Sequence, residues 1–162
     1  MKLIAALTIA VLAAAAPASA QDKPTLDLAE FFAGRTHGEG TIKKALKRSA
    51  RITIDTVGHR GKGGELILVD TIKEEGEPTK VRRWVMRAAP YGFTGTISDA
   101  AGPVRVDVKG TTATVRYKMK EGGISVHQVL TMRDRKTLAS HVTGKKLGVR
   151  VARIDATIRK LD

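Results

Sequence analysis

The feature that most constrains the fold is a two-residue alternation of apolar and polar side chains, clearest over residues 111–120. Successive side chains of a β-strand point to opposite faces of the sheet, so such a segment buries one face and exposes the other. The alternation recurs along most of the chain, and no stretch after Phe32 has a convincing helical period. In residues 111–120 the apolar positions are Ala113, Val115, Tyr117 and Met119.

Turn signals separate the alternating segments, and Gly110-Thr111 and Glu121-Gly122 are short loops of the kind that join antiparallel neighbours. The last segment changes phase between Val151 and Ile154, as a β-bulge would make it do. Sequential hairpins favour an up-and-down meander. We therefore predict an all-β fold, an antiparallel barrel of about eight to ten strands. One short helix would precede it, with Thr25 as its N-cap and an apolar face formed by Leu26, Leu28, Phe31 and Phe32.

The first twenty residues have the composition of an export signal. Lys2 precedes an apolar run over residues 3–16, and Ala18-Ser19-Ala20 forms a small-residue cleavage site. The run is too short to cross a bilayer comfortably, since about twenty apolar residues are needed. We therefore predict a signal peptide over residues 1–20, cleavage after Ala20 and a periplasmic or secreted location. The alternative is an uncleaved membrane anchor. Residues 21–162 would form a single domain.

The cysteine content and the net charge of the chain limit the kinds of site and of binding partner that it can have. The chain has no cysteine, which excludes disulfides, thiolate metal sites and a thiol nucleophile. Without Lys2 it carries 28 Lys and Arg against 16 Asp and Glu, a net charge of +12. An exported protein does not meet the genome, so nucleic acid is not an expected partner. Anionic lipid headgroups and wall polymers would attract the basic surface instead. Such binding releases counterions, as the binding of proteins to nucleic acid does. The alternative is that the charge only maintains solubility.

Residues 58–65 read GHRGKGGE and raise the question of a phosphate-binding loop. Such a loop needs a Lys followed by Ser or Thr and then a helix, whereas Lys62 is followed by Gly63 and then by a strand. The stretch is therefore interpreted as a flexible hairpin tip.

The hairpin around the turn at residues 75–78 carries the most informative polar residues. If Leu66 lies opposite Met86, then Leu68 faces Trp84, Asp70 faces Arg82, and all six side chains share the inward face. A buried Arg keeps its charge, so Asp70 is its expected partner. Two interpretations stay open: an internal salt bridge that fixes the hairpin register, or a cavity in which Arg82 meets the anionic head of an amphiphile.

Several motifs, taken in order, resemble an uncharacterised family of Gram-negative envelope proteins, domain of unknown function 3833. The motifs are Phe31, Phe32 and Gly34; Gly76, Arg82 and Trp84; Tyr91, Gly95 and Asp99; Tyr117; and the final segment KKLGVRVARIDATIRK. The resemblance covers nearly all of residues 21–162. It implies a lipocalin-like barrel and an envelope location, and it implies no activity. Many members of that family look like lipoproteins, whereas this chain lacks the lipid-modified Cys.

No catalytic constellation is present in the sequence. The histidines have no metal-ligand spacing, no G-x-S-x-G motif occurs, and no cofactor is expected. Tyr91 and Asp99 are predicted to flank the barrel mouth. Gln128 lies on an otherwise apolar inward phase, where its amide would either form a core hydrogen bond or contact a ligand.

The predicted function is therefore non-enzymatic binding of one apolar or lipid-like small molecule inside the barrel. The alternative is a structural or interaction protein of the cell envelope, a filled barrel that binds anionic polymers or headgroups through its basic surface. Leu68 and Val115 would add apolar wall. The candidate ligand-binding residues are Asp70, Arg82, Trp84, Met86, Tyr91, Tyr117 and Gln128.

Overall fold

Ten antiparallel strands and one four-residue helix form the fold of residues 24–162, the part of the chain that the computed structural model describes. The predicted signal peptide, residues 1–20, lies outside the described residues. The helix, α1, spans Leu28–Phe31. In chain order the strands are β1 Gly34–Lys44, β2 Ala50–Arg60, β3 Leu66–Glu74, β4 Lys80–Ala89, β5 Gly92–Ile97, β6 Val104–Lys109, β7 Thr112–Lys118, β8 Ser125–Asp134, β9 Thr137–Lys146 and β10 Val149–Lys160.

Every strand pairs with the next one along the chain, and β10 pairs with β1, so the sheet closes into a barrel. The predicted meander and strand number are thereby confirmed. The register of β10 against β9 shifts between Arg150 and Ala152, which is the bulge that the phase change predicts. A bulge bends its strand and increases the local twist, and the sheet needs both in order to close.

The central hairpin has the predicted register. Leu66 lies opposite Met86, Leu68 opposite Trp84, and Asp70 opposite Arg82. Residues 61–65 connect β2 to β3 without a following helix, so the glycine-rich stretch is a hairpin tip, as predicted. The inward-facing alternation also builds the core, whose most deeply buried side chains include Val104, Ala113, Val115 and Leu138.

The N-cap of α1 differs from the predicted one. Asp27, not Thr25, caps the helix, because the helix begins at Leu28 and the Asp27 carboxylate accepts a hydrogen bond from the Glu30 amide at 3.0 Å. Thr25 lies too far upstream, and the Leu26 amide after it donates to the carbonyl of Gly110 at 2.8 Å. The predicted burial of Leu26, Leu28, Phe31 and Phe32 is confirmed, although Leu26 precedes the helix and Phe32 is its C-cap.

The helix covers one end of the barrel, which we name the closed end. The Lys160 ammonium donates to the carbonyls of Glu30 and Phe31, both at 3.1 Å, and also to that of Ala33. Gly58 lets this segment approach β2, because a Cβ at Gly58 would overlap the Phe32 carbonyl oxygen. The opposite end, where β1 finishes and β2 begins, has no such cover in residues 24–162 and is named the open end. None of the helices in that part of the chain is long and apolar enough to span a bilayer.

Candidate ligand-binding cavity

A cavity of about 470 Å³ occupies the barrel interior. Leu28 and Phe32 of the helical segment line its floor at the closed end. The exposed residues that line it are all at the open end, which places its mouth there: Lys80, Glu121, Gly122 and Arg153. A volume of several hundred cubic ångströms is in the range of pockets that hold small organic ligands.

Most of the wall is apolar because the strands direct their alternate aliphatic side chains inward. Near the floor these residues include Leu66, Leu68, Met86, Val106, Val115 and Leu130. Towards the mouth they include Ile42, Ile52, Ile124, Val126 and Ile154. The cavity therefore has apolar surface both below and above the level of its polar groups.

Asp70 is the most buried charged residue of the wall, with 7% of its surface exposed. One carboxylate oxygen accepts a hydrogen bond from the Thr56 hydroxyl at 2.8 Å, and the other accepts from the Trp84 indole at 2.7 Å. Burial raises the pKa of Asp70, and it outweighs these two hydrogen bonds and the nearby Arg82 charge, which act in the opposite direction.

Arg82 does not form the predicted ion pair with Asp70. Its Nε and Nη2 atoms both contact Oδ2 of Asp99, at 3.0 and 2.9 Å. The Asp70 side chain is short and already holds Thr56 and Trp84, whereas the longer Arg82 side chain reaches the loop after β5. The prediction of an Asp70–Arg82 salt bridge is therefore wrong, although the two residues are directly paired in the sheet.

The charge of Arg82 is well supported by its surroundings. Burial lowers the pKa of its guanidinium, but Tyr117, Asp99 and Asp70 together raise it above the ordinary value. Arg82 lines the cavity, and its Nη1 atom makes no hydrogen bond with any residue in the range 24–162. This atom can therefore donate to a bound molecule.

Two aromatic rings line the cavity together with Arg82. The Trp84 and Tyr117 rings meet edge to face, with centroids 6.2 Å apart, and both residues line the cavity. Burial is the main cause that raises the pKa of Tyr117, so its phenol is neutral at physiological pH. Its hydroxyl has no hydrogen-bond partner within the described part of the chain, which leaves a donor and an acceptor available.

Gln128 forms a core hydrogen bond, the first of the two interpretations made from the sequence, and its contact with a ligand stays a prediction. Its amide nitrogen donates to the Ser140 hydroxyl at 2.9 Å across the β8–β9 pair, and both residues line the cavity. The amide oxygen is the group that stays available to accept a hydrogen bond.

Tyr91 lies elsewhere. It precedes β5 at the closed end, whereas Asp99 follows β5 at the open end, so the six-residue strand separates them along the barrel axis. The prediction that both flank the mouth is wrong for Tyr91, whose ring lies under the Arg105 guanidinium, 3.8 Å from its carbon. Of the seven candidate residues, the cavity brings together six: Asp70, Arg82, Trp84, Met86, Tyr117 and Gln128.

Two features of the polar groups went unnoticed in the sequence: the position of Thr56 on the cavity wall, and the unpaired oxygen of Asp99, a residue predicted only to flank the mouth. Thr56 continues the inward phase of Ile52 and Ile54 and lies opposite Asp70 in the register, so the alternation could have identified it. The Oδ1 atom of Asp99 is buried without a hydrogen-bond partner in residues 24–162, and no sequence pattern reveals this. An unpaired buried carboxylate oxygen is a position where a hydroxyl donor would be stabilised.

The histidines do not contribute to the cavity. His37 and His141 each contact an aspartate on the neighbouring strand, Asp55 and Asp155, and none of the four residues lines the cavity. No group of three or more potential metal ligands is close enough to hold an ion within residues 24–162.

A family described as "Protein of unknown function (DUF3833)" matches the chain over residues 6–160. The chain belongs to this family. The resemblance drawn from its ordered motifs is thereby confirmed. The comparison with curated proteins finds no match.

Solved structures similar to this DUF3833 protein are barrels. One is the S-type phycobiliprotein lyase CPES from Guillardia theta, with a TM-score of 0.61 and 7% identity over 83% of this chain and 90% of that one. Another is a redesigned beta barrel, with a TM-score of 0.47 and 10% identity over 83% and 95% of the two chains. A third is EF1p2_mFAP2b bound to DFHBI, with a TM-score of 0.46 and 12% identity over 82% and 95%. At 7% identity, the similarity to the lyase shows a common fold only.

Proposed function

We propose that the barrel binds one amphiphilic small molecule, with its apolar part against the aliphatic wall and a hydrogen-bond-accepting or anionic group beside Arg82. The observation that carries the proposal is the cavity of about 470 Å³, which has an aliphatic wall and a charged guanidinium whose Nη1 group has no partner within residues 24–162. In a barrel of this size the side chains either fill the interior or leave room for one small ligand, and a cavity of this volume indicates the second case.

The polar groups of the wall define the acceptable ligand. Arg82 Nη1 is a charged donor, and Tyr117, which lines the same cavity, has a hydroxyl without a partner in residues 24–162. A carboxylate, phosphate or carbonyl oxygen suits these donors. A cationic group does not, because Arg82 would repel it. An entirely apolar molecule would leave the donors unpaired, which is unfavourable in a buried site.

Binding without chemical conversion is the second element of the proposal. Both carboxylate oxygens of Asp70 are occupied by Thr56 and Trp84, so this acid is held in place rather than free to transfer protons. The cavity lining holds no nucleophile paired with a histidine base within residues 24–162. The common fold with the lyase is compatible both with binding alone and with catalysis, because a fold does not determine the function of its site.

We also propose that the chain is exported to the periplasm or secreted. The support is the order of residues 1–20, in which a basic residue is followed by an apolar run and then by small residues. N-terminal sequencing of the protein recovered from a fractionated cell tests this. A chain that begins at Gln21 in the periplasm or medium is the expected result. A cytoplasmic chain that keeps residues 1–20 would contradict it.

The fluorescence of Trp84 provides the test of ligand binding, because it is the sole indole of the chain and lies on the cavity wall. Titration with a long-chain fatty acid should shift its emission to a saturating limit. The alcohol of the same chain length should bind more weakly, because it lacks the charge that Arg82 contacts. Mass spectrometry of organic extracts of the natively purified protein should detect an acidic amphiphile.

The matched variants lie next to each other on β4. Arg82→Met should weaken fatty-acid binding by roughly tenfold or more, since a charge-assisted hydrogen bond contributes about 1.5–3 kcal/mol. Arg83→Met removes an equal charge from the outer face and should bind as the parent does. The proposal fails if Trp84 does not respond to any acidic amphiphile, or if both variants lose affinity equally.

A further inference from the structure

The open end carries exposed leucines in an unusual backbone conformation. Leu46 lies in the loop between β1 and β2, and Leu147 lies in the turn between β9 and β10. Their exposed fractions are 107% and 97%, the highest among the exposed large apolar residues of the described chain. Their φ angles are +62° and +49°, and no other non-glycine residue in the range 24–162 has a positive φ.

Both positions favour a different residue. Leu147 and Gly148 form a two-residue turn in which both φ angles are positive, the arrangement for which Asn-Gly is preferred. Leu46 is the third residue of a turn closed by the hydrogen bond from the Lys47 amide to the Lys44 carbonyl at 3.2 Å, where Gly or Asn is favoured. A leucine there lowers stability and has no packing to compensate for it.

The two tips are neighbours. β1 pairs with β10, and the ladder continues to the base of both tips, where the Ala45 amide donates to the Val151 carbonyl at 2.8 Å. Val149, also exposed, follows the second tip. We name this surface the rim patch: the apolar residues Leu46, Leu147 and Val149, with the exposed cations Arg48, Lys145, Lys146 and Arg150.

The cations of the rim patch carry charge that no acidic side chain of residues 24–162 neutralises in an ion pair. None of these four residues makes an ion pair with another residue of the described chain. Two acids at the open end are engaged by other lysines: Glu74 contacts Lys44 at 2.6 Å, and Glu77 contacts Lys47 at 3.2 Å. The patch thus combines projecting apolar tips with unpaired positive charge.

We propose that the rim patch docks the barrel on an anionic lipid bilayer, with Leu46 and Leu147 inserted among the headgroups and acyl chains. Apolar side chains surrounded by Lys and Arg are what an anionic membrane interface accommodates, because the leucines gain an apolar environment and the cations contact lipid phosphates. A nucleic acid or an acidic polymer would use the cations but would gain nothing from the leucines. The inference is independent of the cavity ligand.

Flotation with vesicles tests the proposal. The protein should bind vesicles of phosphatidylcholine with about 30% phosphatidylglycerol and should bind pure phosphatidylcholine much more weakly. Raising NaCl from about 0.05 to 0.5 M should weaken that binding, because the Debye length shortens severalfold. The variants share one N terminus, so any contribution of the apolar residues 3–16 is the same in each.

The decisive variant is Leu46→Asn/Leu147→Asn. Asn suits both turns, so this variant should melt at the same temperature as the parent or higher, yet its partition coefficient on the anionic vesicles should fall at least roughly tenfold. Leu161→Asn replaces an exposed leucine at the closed end and should leave binding unchanged. Lys145→Gln/Lys146→Gln should weaken binding roughly 30-fold at low salt, whereas Lys109→Gln/Lys136→Gln at the closed end should not.

Two results would overturn the proposal. One is undiminished vesicle binding by the double asparagine variant. The other is binding to RNA or to an acidic polymer, with equal salt dependence in the parent and in that variant, and no binding to vesicles. In either case the Trp84 titration with fatty acid is unaffected, so the two proposals can fail separately.

Discussion

The two ends of the barrel are built from the same strands but terminate them differently. At the closed end the chain is folded back onto the sheet: Phe32 is buried, Lys160 holds three carbonyls, and Gly58 admits the segment at close range. At the open end Leu46 and Leu147 project into solvent, and the cavity mouth is lined by charged residues. The difference indicates that the closed end contributes stability, whereas the open end is available for contact with other molecules.

The largest effect that would test this contrast is expected from Phe32. Phe32→Ala should lower the free energy of unfolding by about 3–5 kcal/mol, since it removes a buried aromatic side chain and leaves a void at the cavity floor. Leu46→Ala at the open end should change it by less than about 0.5 kcal/mol. Urea denaturation followed by circular dichroism measures both. Equal losses at the two ends would contradict the contrast.

A smaller effect is expected from a glycine at each end. Gly58→Ala places a methyl group against the Phe32 carbonyl and should destabilise the fold by about 1–3 kcal/mol. The matched control is Gly102→Ala in the loop after β5, where an added Cβ meets nothing within 4 Å. Thermal melts of both variants give the comparison, and a stable Gly58→Ala protein would show that the helical segment can move away from β2.

Between the two ends, Asp70 should give the stability a distinctive pH dependence. Its folded-state pKa is raised above 3.8, so the folded state binds this proton more tightly than the unfolded chain does. Relative to Asp70→Asn, the parent should therefore gain stability as the pH falls through the raised pKa, and the gain should level off below about pH 3.8. The gain is about 1.4 kcal/mol for each unit of pKa shift. Denaturation series at several pH values would measure it, and a difference that stays constant with pH would contradict the expectation.

The smallest predicted effect has the opposite sign. Leu147→Asn should stabilise the protein by roughly 1 kcal/mol, because Asn tolerates the positive φ of this turn better than leucine does. Leu161→Asn, at the closed end, should have no such benefit. A rise in the melting temperature of the first variant alone would identify the open-end turn as a place where stability is not maximised.

The strand meander, the central register and the bulge in β10 were all predictable, because each depends on local alternation and on turns. The alternation of apolar and polar residues shows which face of the sheet each side chain occupies. The register of a hairpin follows, because paired residues must share a face. Asp70, Arg82, Trp84 and Met86 were therefore correctly placed on the inner wall.

The partners of the polar groups were not predictable. Asp70 and Arg82 are paired in the sheet, yet Arg82 contacts Asp99 from a loop whose path depends on the closure of the whole barrel. The position of Tyr91 away from the mouth has a simpler cause, since β5 runs between Tyr91 and Asp99 and places them at opposite ends. The direction of a side chain is determined by its neighbours in the sequence, whereas a contact between a loop and a strand depends on the whole closed barrel.

The seam between β1 and β10 determines when this sheet can be completed during synthesis. The first strand acquires its second neighbour only when the last strand has been made, so an unfinished polypeptide keeps two open edges and cannot close. Long-range pairing of this kind slows folding. The strand made last is therefore required before the barrel can close.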